Sequence, residues 1–238
     1  MIRISTSKPV SIFIILFLLT GCVSLTHKTA YPPSGEIGKA YAQRHEFVNL
    51  YLQGRFCEAK NQFEKSVRSF LMQDDFCSAA GNYMVFYNLK MYSDIKDAHL
   101  FDTAVKLKNL GGGCPDLEAL LLCSGGDCSN GMNPKDAFYR KLLEERNFNK
   151  LLEAASGEED RLYASVYLRK TARNALIQNR KLAEKFLKEA IGIDAAQGWV
   201  VFLCEDWSIM AGLASDPEEK ERMLERVKML STVLQPCD

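Results

Sequence analysis

Helical periodicity, which extends over nearly everything after Glu36, is the feature that most constrains how this chain folds. Alternating β-branched runs closed by Asn-Gly turns, which would indicate strands, are almost absent. The sequence therefore predicts an all-α fold. We predict helices over 37–53, 56–72, 75–92, 95–109, 134–146, 148–156, 158–179, 181–192, 196–213 and 217–234.

Local signals mark several of these helix ends. Asn133 followed by Pro134 is typical of an N-cap and a first helical residue, where the missing N–H of proline costs nothing. Asp216 begins an Asp-Pro-Glu-Glu sequence, which predicts a capping box, and Gly157 lies where a helix C-cap is expected.

The predicted helices occur in pairs with short connections, which indicates stacked antiparallel hairpins. The segment Gly54-Arg55-Phe56-Cys57-Glu58-Ala59, followed by Phe63 and Ser66, resembles the tetratricopeptide repeat (TPR). In that family a glycine and an aromatic residue mark the turn between two helices, and a small residue lets the helices approach. Weaker copies begin near Met91, Arg146 and Tyr167.

The resemblance covers residues 36–110 and 134–235 in degenerate form, and a Cys/Gly-rich loop interrupts it. It implies a TPR-like α-solenoid, whose stacked hairpins form a concave protein-binding surface. The alternative is a generic helical bundle, because small and aromatic residues at helical spacing also pack ordinary cores.

The N-terminus has the order of a secretory signal. Arg3 and Lys8 precede an apolar run of ten residues, 10–19, which is too short to span a bilayer. The sequence Leu19-Thr20-Gly21-Cys22 that follows resembles the bacterial lipobox. An ordinary signal anchor with an incidental cysteine is the alternative.

The lipobox resemblance implies that the Cys22 thiol is diacylated and that the signal is cut just before it. Two or more acyl chains anchor a protein stably to a membrane that it does not span. Val23 occupies the position where an aspartate is the usual inner-membrane retention signal. The resemblance therefore implies an outer-membrane lipoprotein that faces the periplasm.

The chain divides into five predicted segments. Residues 23–35 are rich in Ser, Thr, Pro and Gly, which indicates a tether, although a short arm packed on the body is the alternative. The segments are a lipoprotein signal peptide at 1–21, a lipidated tether at 22–36, N-terminal helical repeats at 37–110, a Cys/Gly-rich insertion at 111–133 and C-terminal helical repeats at 134–238.

Seven cysteines remain after Cys22, and an oxidising envelope makes them disulfide candidates. Because seven is odd, one thiol is expected to stay unpaired within the chain. The candidates are Cys57, Cys77, Cys114, Cys123, Cys128, Cys204 and Cys237. The expected bonds are Cys114 or Cys123 with Cys128, Cys57 with Cys77, and Cys204 with Cys237.

The sequence predicts no metal site and no cofactor. The cysteines of the insertion are separated by eight and four residues, whereas structural zinc sites favour two to four. No histidine lies nearby, since the three histidines are His27, His45 and His99. Gly111-Gly112-Gly113 lacks the Lys-Ser/Thr ending of a phosphate-binding loop.

Catalytic motifs are also missing from the sequence, so we expect a protein that is not an enzyme. The acids at 74–75 and 158–160 precede predicted helices, where they complement the helix dipole. Glu205 and Asp206 are the one acidic pair beside a large aromatic residue, Trp207. Trp207 and Trp199 are interpreted as core residues rather than as a sugar platform.

Lysine and arginine together number 30, as do aspartate and glutamate together. The resulting zero net charge argues against nucleic-acid binding. We therefore expect a membrane-anchored periplasmic scaffold that binds a protein partner in a secretion, pilus or polysaccharide-export assembly, with no small-molecule substrate. The alternatives are an envelope enzyme that acts on glycan or peptidoglycan through Glu205 and Asp206, and a purely structural disulfide-stapled lipoprotein. The predicted binding residues, on exposed first helices of the hairpins, are Tyr51, Tyr83, Tyr87, Arg169 and Arg173.

Overall fold

A computed structural model describes residues 35–93, 95–115, 117, 134–176 and 179–237. Within these ranges the chain forms ten α-helices and no strand, which confirms the all-α prediction. The helices are α1 (Glu36–Leu52), α2 (Phe56–Leu71), α3 (Phe76–Tyr92), α4 (Ala98–Leu110), α5 (Pro134–Glu144), α6 (Phe148–Ser156), α7 (Arg161–Ala175), α8 (Arg180–Gln197), α9 (Val200–Leu213) and α10 (Pro217–Ser231).

Short polar side chains begin most of the helices. The Asp216 carboxylate accepts hydrogen bonds from the backbone N–H groups of Glu218 and Glu219, which satisfies two donors that have no partner inside α10. Pro134 and Gly157 lie at helix ends, as predicted. The side-chain N-caps are Asp75, Asp97, Asn147, Asp160, Asn179 and Asp216.

One predicted boundary is wrong. The sequence suggests a break between residues 192 and 196, but α8 continues to Gln197. The helix ends at Gly198, whose φ of 69° is in the left-handed region that glycine adopts without steric cost.

Neighbouring helices pack in antiparallel pairs, which confirms the stack of hairpins. The pairs are α1–α2, α3–α4, α5–α6, α7–α8 and α9–α10. Helix α9 also contacts α1, so the last pair lies against the first pair. Whether the pairs are true tetratricopeptide repeats stays a prediction.

The N-terminal pairs pack around a cluster of aromatic rings. Phe47 lies 5.3 Å from Phe63 and 5.0 Å from Phe86, measured between ring centroids, and Tyr51 lies 5.4 Å from Phe86. Edge-to-face and tilted contacts of this kind each contribute about 0.5–1.5 kcal/mol beyond the burial of apolar area. The cluster joins α1, α2 and α3 into one core.

The C-terminal tail lies on the turn between α1 and α2. Gly54 in this turn has a φ of 80°, and its carbonyl accepts a hydrogen bond of 2.8 Å from the Gln235 N–H. A Cβ atom at Gly54 would lie 2.4 Å from Leu234 Cδ2. Glycine is therefore required here both for the backbone conformation and for the approach of the tail.

Two disulfides are present in the described ranges, and their pairing corrects the sequence prediction. Cys57 bonds to Cys237, with 4.8 Å between their Cα atoms, and Cys77 bonds to Cys114, with 5.5 Å. Cys204 remains a free thiol. The expected Cys57–Cys77, Cys114–Cys128 and Cys204–Cys237 bonds are therefore wrong.

The physical reason is that the fold brings distant segments together. The tail passes over the first turn and meets Cys57 rather than Cys204, and the end of α4 returns to the start of α3, where Cys77 lies. The remaining expected bond, Cys123–Cys128, lies outside the described residues, as do the predicted signal peptide, Cys22 and His27.

Candidate functional site

A buried cluster of charged side chains joins α7, α8 and α9. Arg169 of α7 is only 2% exposed, and its Nε donates a hydrogen bond of 2.5 Å to Asp206 Oδ1 on α9. Its Nη2 donates one of 2.6 Å to Asp194 Oδ2 on α8. The guanidinium lies 4.1 Å from the centroid of the Phe202 ring, so a cation–π contact covers one face. One arginine thus connects three helices.

The cluster places two carboxyl groups, those of Asp194 and Asp206, against the single guanidinium of Arg169. Burial, reinforced by the neighbouring Asp206 carboxylate, raises the pKa of Asp194 to about 8 against the opposing effect of Arg169. A proton on Asp194 lowers the negative charge that faces Arg169 inside the core, where an unpaired charge is costly.

A second ion pair lies beside the first. Arg173 of α7 donates through Nη2 to Glu205 Oε1 of α9, and burial raises the pKa of the Glu205 carboxyl against the effect of both arginines. Asp206 is fully buried, and Glu205 is held by Arg173. The acid pair that the sequence offers as a catalytic centre is therefore committed to holding α7 and α9 together.

Three of the five predicted binding residues are buried. Tyr51, Tyr87 and Arg169 are at most 7% exposed, so their placement on an exposed helix face is wrong. Tyr51 packs 5.3 Å from the Phe56 ring, and Tyr87 packs 5.5 Å from the ring of Phe101.

The reason is that α1, α3 and α7 each pack against their own partner helix and against further helices, which covers both of their sides. Arg173 is partly exposed and belongs to the ion pair described above.

Tyr83, the remaining predicted binding residue, lines a surface groove between α2 and α3. Its ring lies edge-to-face with Phe63 at 5.0 Å, and burial raises the pKa of its hydroxyl. The groove has a volume of about 380 Å³. Its lining residues are Phe63, Glu64, Val67, Arg68, Leu71, Met72 and Tyr83. Apolar side chains form the floor of the groove, and the exposed charges of Glu64 and Arg68 lie at its rim.

A wider groove of about 720 Å³ lies beside α5 and α6, and no sequence motif indicates it. Glu158 in this groove accepts hydrogen bonds from Lys135 Nζ at 2.8 Å and from the Tyr139 hydroxyl at 3.3 Å. The Tyr139 ring stacks on Tyr167 at 4.4 Å. The Glu158 carboxylate is therefore satisfied from within the protein.

In the part of the chain that the structure describes, no three or more His, Cys, Asp or Glu side chains are grouped so as to hold a metal ion. His45 and His99 are exposed on α1 and α4. Over the same ranges, none of the helices combines the length and apolar character needed to cross a bilayer. Trp199 is buried and Trp207 packs against the core, as predicted.

Comparison of the chain with protein-family models, with curated proteins and with solved structures finds no match. The functional argument therefore depends on the residues themselves.

Proposed function

We propose that this protein is a lipid-anchored scaffold of the bacterial outer membrane, which faces the periplasm and binds a protein partner of an envelope assembly. The Cys57–Cys237 disulfide is the observation that carries the proposal. Disulfides form and persist in oxidising compartments and are rare in the cytosol, and this one fastens residue 237 to the first helical hairpin. This agrees with the export that the lipobox-like sequence ending at Cys22 implies.

The α2–α3 groove is the surface that we assign to the partner. It combines the exposed apolar side chains of Leu71 and Met72 with the aromatic rings of Phe63 and Tyr83. Aromatic side chains on a concave surface are typical anchors for protein partners. Tyr83 is also the predicted binding residue that lines this groove.

The anchor is tested by the Cys22→Ser variant. Intact protein from envelopes should carry the mass of a diacylglycerol at Cys22 and should fractionate with the outer membrane. Cys22→Ser should lack that mass and appear in the soluble periplasmic fraction. A variant that stays in the membrane fraction contradicts the lipid anchor.

The partner is tested by affinity purification from detergent-solubilised envelopes. We expect a stoichiometric partner that is lost when the rim charges are exchanged in the double variant Glu64→Arg, Arg68→Glu. The control is Lys185→Glu, Glu189→Lys, which exchanges two exposed charges at the same spacing on α8. Recovery of the protein alone favours the purely structural alternative, and equal loss in both variants contradicts the groove as the docking surface.

A further inference from the structure

Four exposed apolar side chains collect at the end of the body where α1 begins. Ile37 and Tyr41 are each 43% exposed, Met72 is 64% exposed and Leu110 is 60% exposed. They come from three helices, because the start of α1, the end of α2 and the end of α4 meet here.

The contacts beneath these side chains fix their common position. The Tyr41 ring packs 5.1 Å from Phe70, two residues before Met72, and the Tyr41 hydroxyl lies 3.1 Å from Ser78 Oγ at the start of α3. Leu107, one turn before Leu110, packs against Ala40, Phe70 and Ala79. We call Ile37, Tyr41, Met72 and Leu110 the entry patch.

The chain itself indicates what faces the entry patch. Cys22 lies only 13 positions before Gly35, the first described residue of the body. A span of that length reaches about 45 Å when fully extended. A lipid on Cys22 therefore holds the start of α1 near the bilayer and raises the effective concentration of the entry patch at the lipid surface.

We propose that the entry patch rests in the interfacial layer of the bilayer and sets the orientation of the body on the membrane. This inference rests on the lipid anchor of the proposed function. Apolar side chains of surface-bound proteins insert into the boundary between headgroups and acyl chains, and tyrosine is enriched there. Because α2 ends in the patch, the α2–α3 groove opens beside the membrane, where it meets a partner that is itself membrane-bound.

Charge contributes less than apolar insertion to this contact. Lys39, Arg68 and Lys106 are exposed near the entry patch and attract anionic headgroups, but Glu36 and Asp74 lie at the same end. We therefore expect the orientation to persist when salt is raised, since salt screens only the electrostatic part.

The test uses two tryptophan variants of the acylated full chain in vesicles of phosphatidylethanolamine and phosphatidylglycerol that contain brominated phospholipid. Met72→Trp places a reporter in the entry patch, and Met229→Trp places one at a position 63% exposed on α10. Met229 is the matched control because α10 leads to the tail on the α1–α2 turn, at the other end of α1. The native Trp199 and Trp207 contribute the same background fluorescence in both variants.

Bromine quenches fluorophores buried in the acyl region, so Met72→Trp should lose at least about twice as much emission as Met229→Trp if the patch is inserted. Replacing Ile37 and Leu110 by Asp in the Met72→Trp variant should abolish that excess. Equal quenching of the two reporters overturns the inference.

Failure of the anchor is a separate outcome. If mass spectrometry shows no acyl group on Cys22, the proposed anchor fails, and the same two variants are mixed with the vesicles as unmodified proteins. Excess quenching of Met72→Trp then still supports the entry patch as a lipid-binding surface, and its absence overturns it.

Discussion

The N-terminal and C-terminal helix pairs have the same antiparallel architecture but are held together by different interactions. Helices α1, α2 and α3 meet through aromatic rings, and two disulfides tie α2 to the C-terminal tail and α3 to the segment after α4. Helices α7, α8 and α9 meet around one buried arginine and two aspartates. Ring contacts tolerate a change of pH, whereas the ion cluster requires defined protonation. The N-terminal helix pairs should therefore respond to reduction of their disulfides, and the C-terminal helix pairs to a change of pH.

The largest effect is expected at Arg169. Replacing it with Leu leaves Asp194 and Asp206 buried without their shared cation, which should lower the free energy of unfolding by about 3–5 kcal/mol. Urea unfolding followed by circular dichroism measures the loss. Lys188→Leu is the control and should leave the free energy of unfolding nearly unchanged, because its ion pair with Glu184 is exposed to solvent. Equal losses would contradict a special role for Arg169.

The disulfides provide the corresponding test of the N-terminal region. The double variant Cys57→Ser, Cys237→Ser should lower the free energy of unfolding by about 2–5 kcal/mol. The loss for the double variant Cys77→Ser, Cys114→Ser should be about 1.4 kcal/mol smaller, because its disulfide closes a sequence separation of 37 rather than 180. The measurement is urea unfolding without reductant. A larger loss from the shorter loop would show that strain or local packing outweighs chain entropy.

Gly54 provides a test of how the C-terminal tail packs on the α1–α2 turn. Gly54→Ala forces a side chain into the left-handed region and against Leu234, so the free energy of unfolding should fall by about 1–2 kcal/mol. Proteolysis of the tail should also become faster. Gly157→Ala is the control, because its φ of −88° suits any residue, and it should change stability by less than about 0.5 kcal/mol.

The proton dependence of the C-terminal region follows from Asp194. Its pKa rises from 3.8 in the unfolded chain to about 8 in the folded protein, so the folded state binds the extra proton between these values. Stability should therefore fall as pH rises through that window, by at most about 1.4 kcal/mol per pH unit. Asp194→Asn should flatten the slope, and the exposed-site control Asp102→Asn should not. An unchanged slope in Asp194→Asn would contradict the raised pKa of Asp194.

The sequence allows the helices to be predicted well because helix ends have local causes. Pro134 is the first residue of α5, Gly157 follows the last residue of α6, and the Asp216 carboxylate caps α10. Gly192 shows the limit of local reasoning, since it lies inside α8 although glycine commonly ends helices. The actual stop, Gly198, is defined by a backbone angle that the sequence does not reveal.

The candidate site was harder to predict, because burial depends on which helices surround a residue. Tyr51 and Arg169 lie on helices that are covered on both sides, which a helical period alone cannot indicate. A signal was nevertheless present. Asp206 lies in α9, the most apolar of the helices, and an acid in such a helix requires a buried cationic partner.

The position of Cys237 has a consequence for how the protein matures. On the export route that we propose, the chain emerges from its N-terminus, so Cys77 and Cys114 can pair before Cys237 has emerged. Cys57 has to wait until residue 237 has emerged, with 180 positions between the two. During that interval its thiol is free to react with the wrong cysteine, Cys77 included. Correct pairing therefore depends on protecting the Cys57 thiol until Cys237 has emerged. Otherwise a disulfide isomerase has to repair the wrong bond.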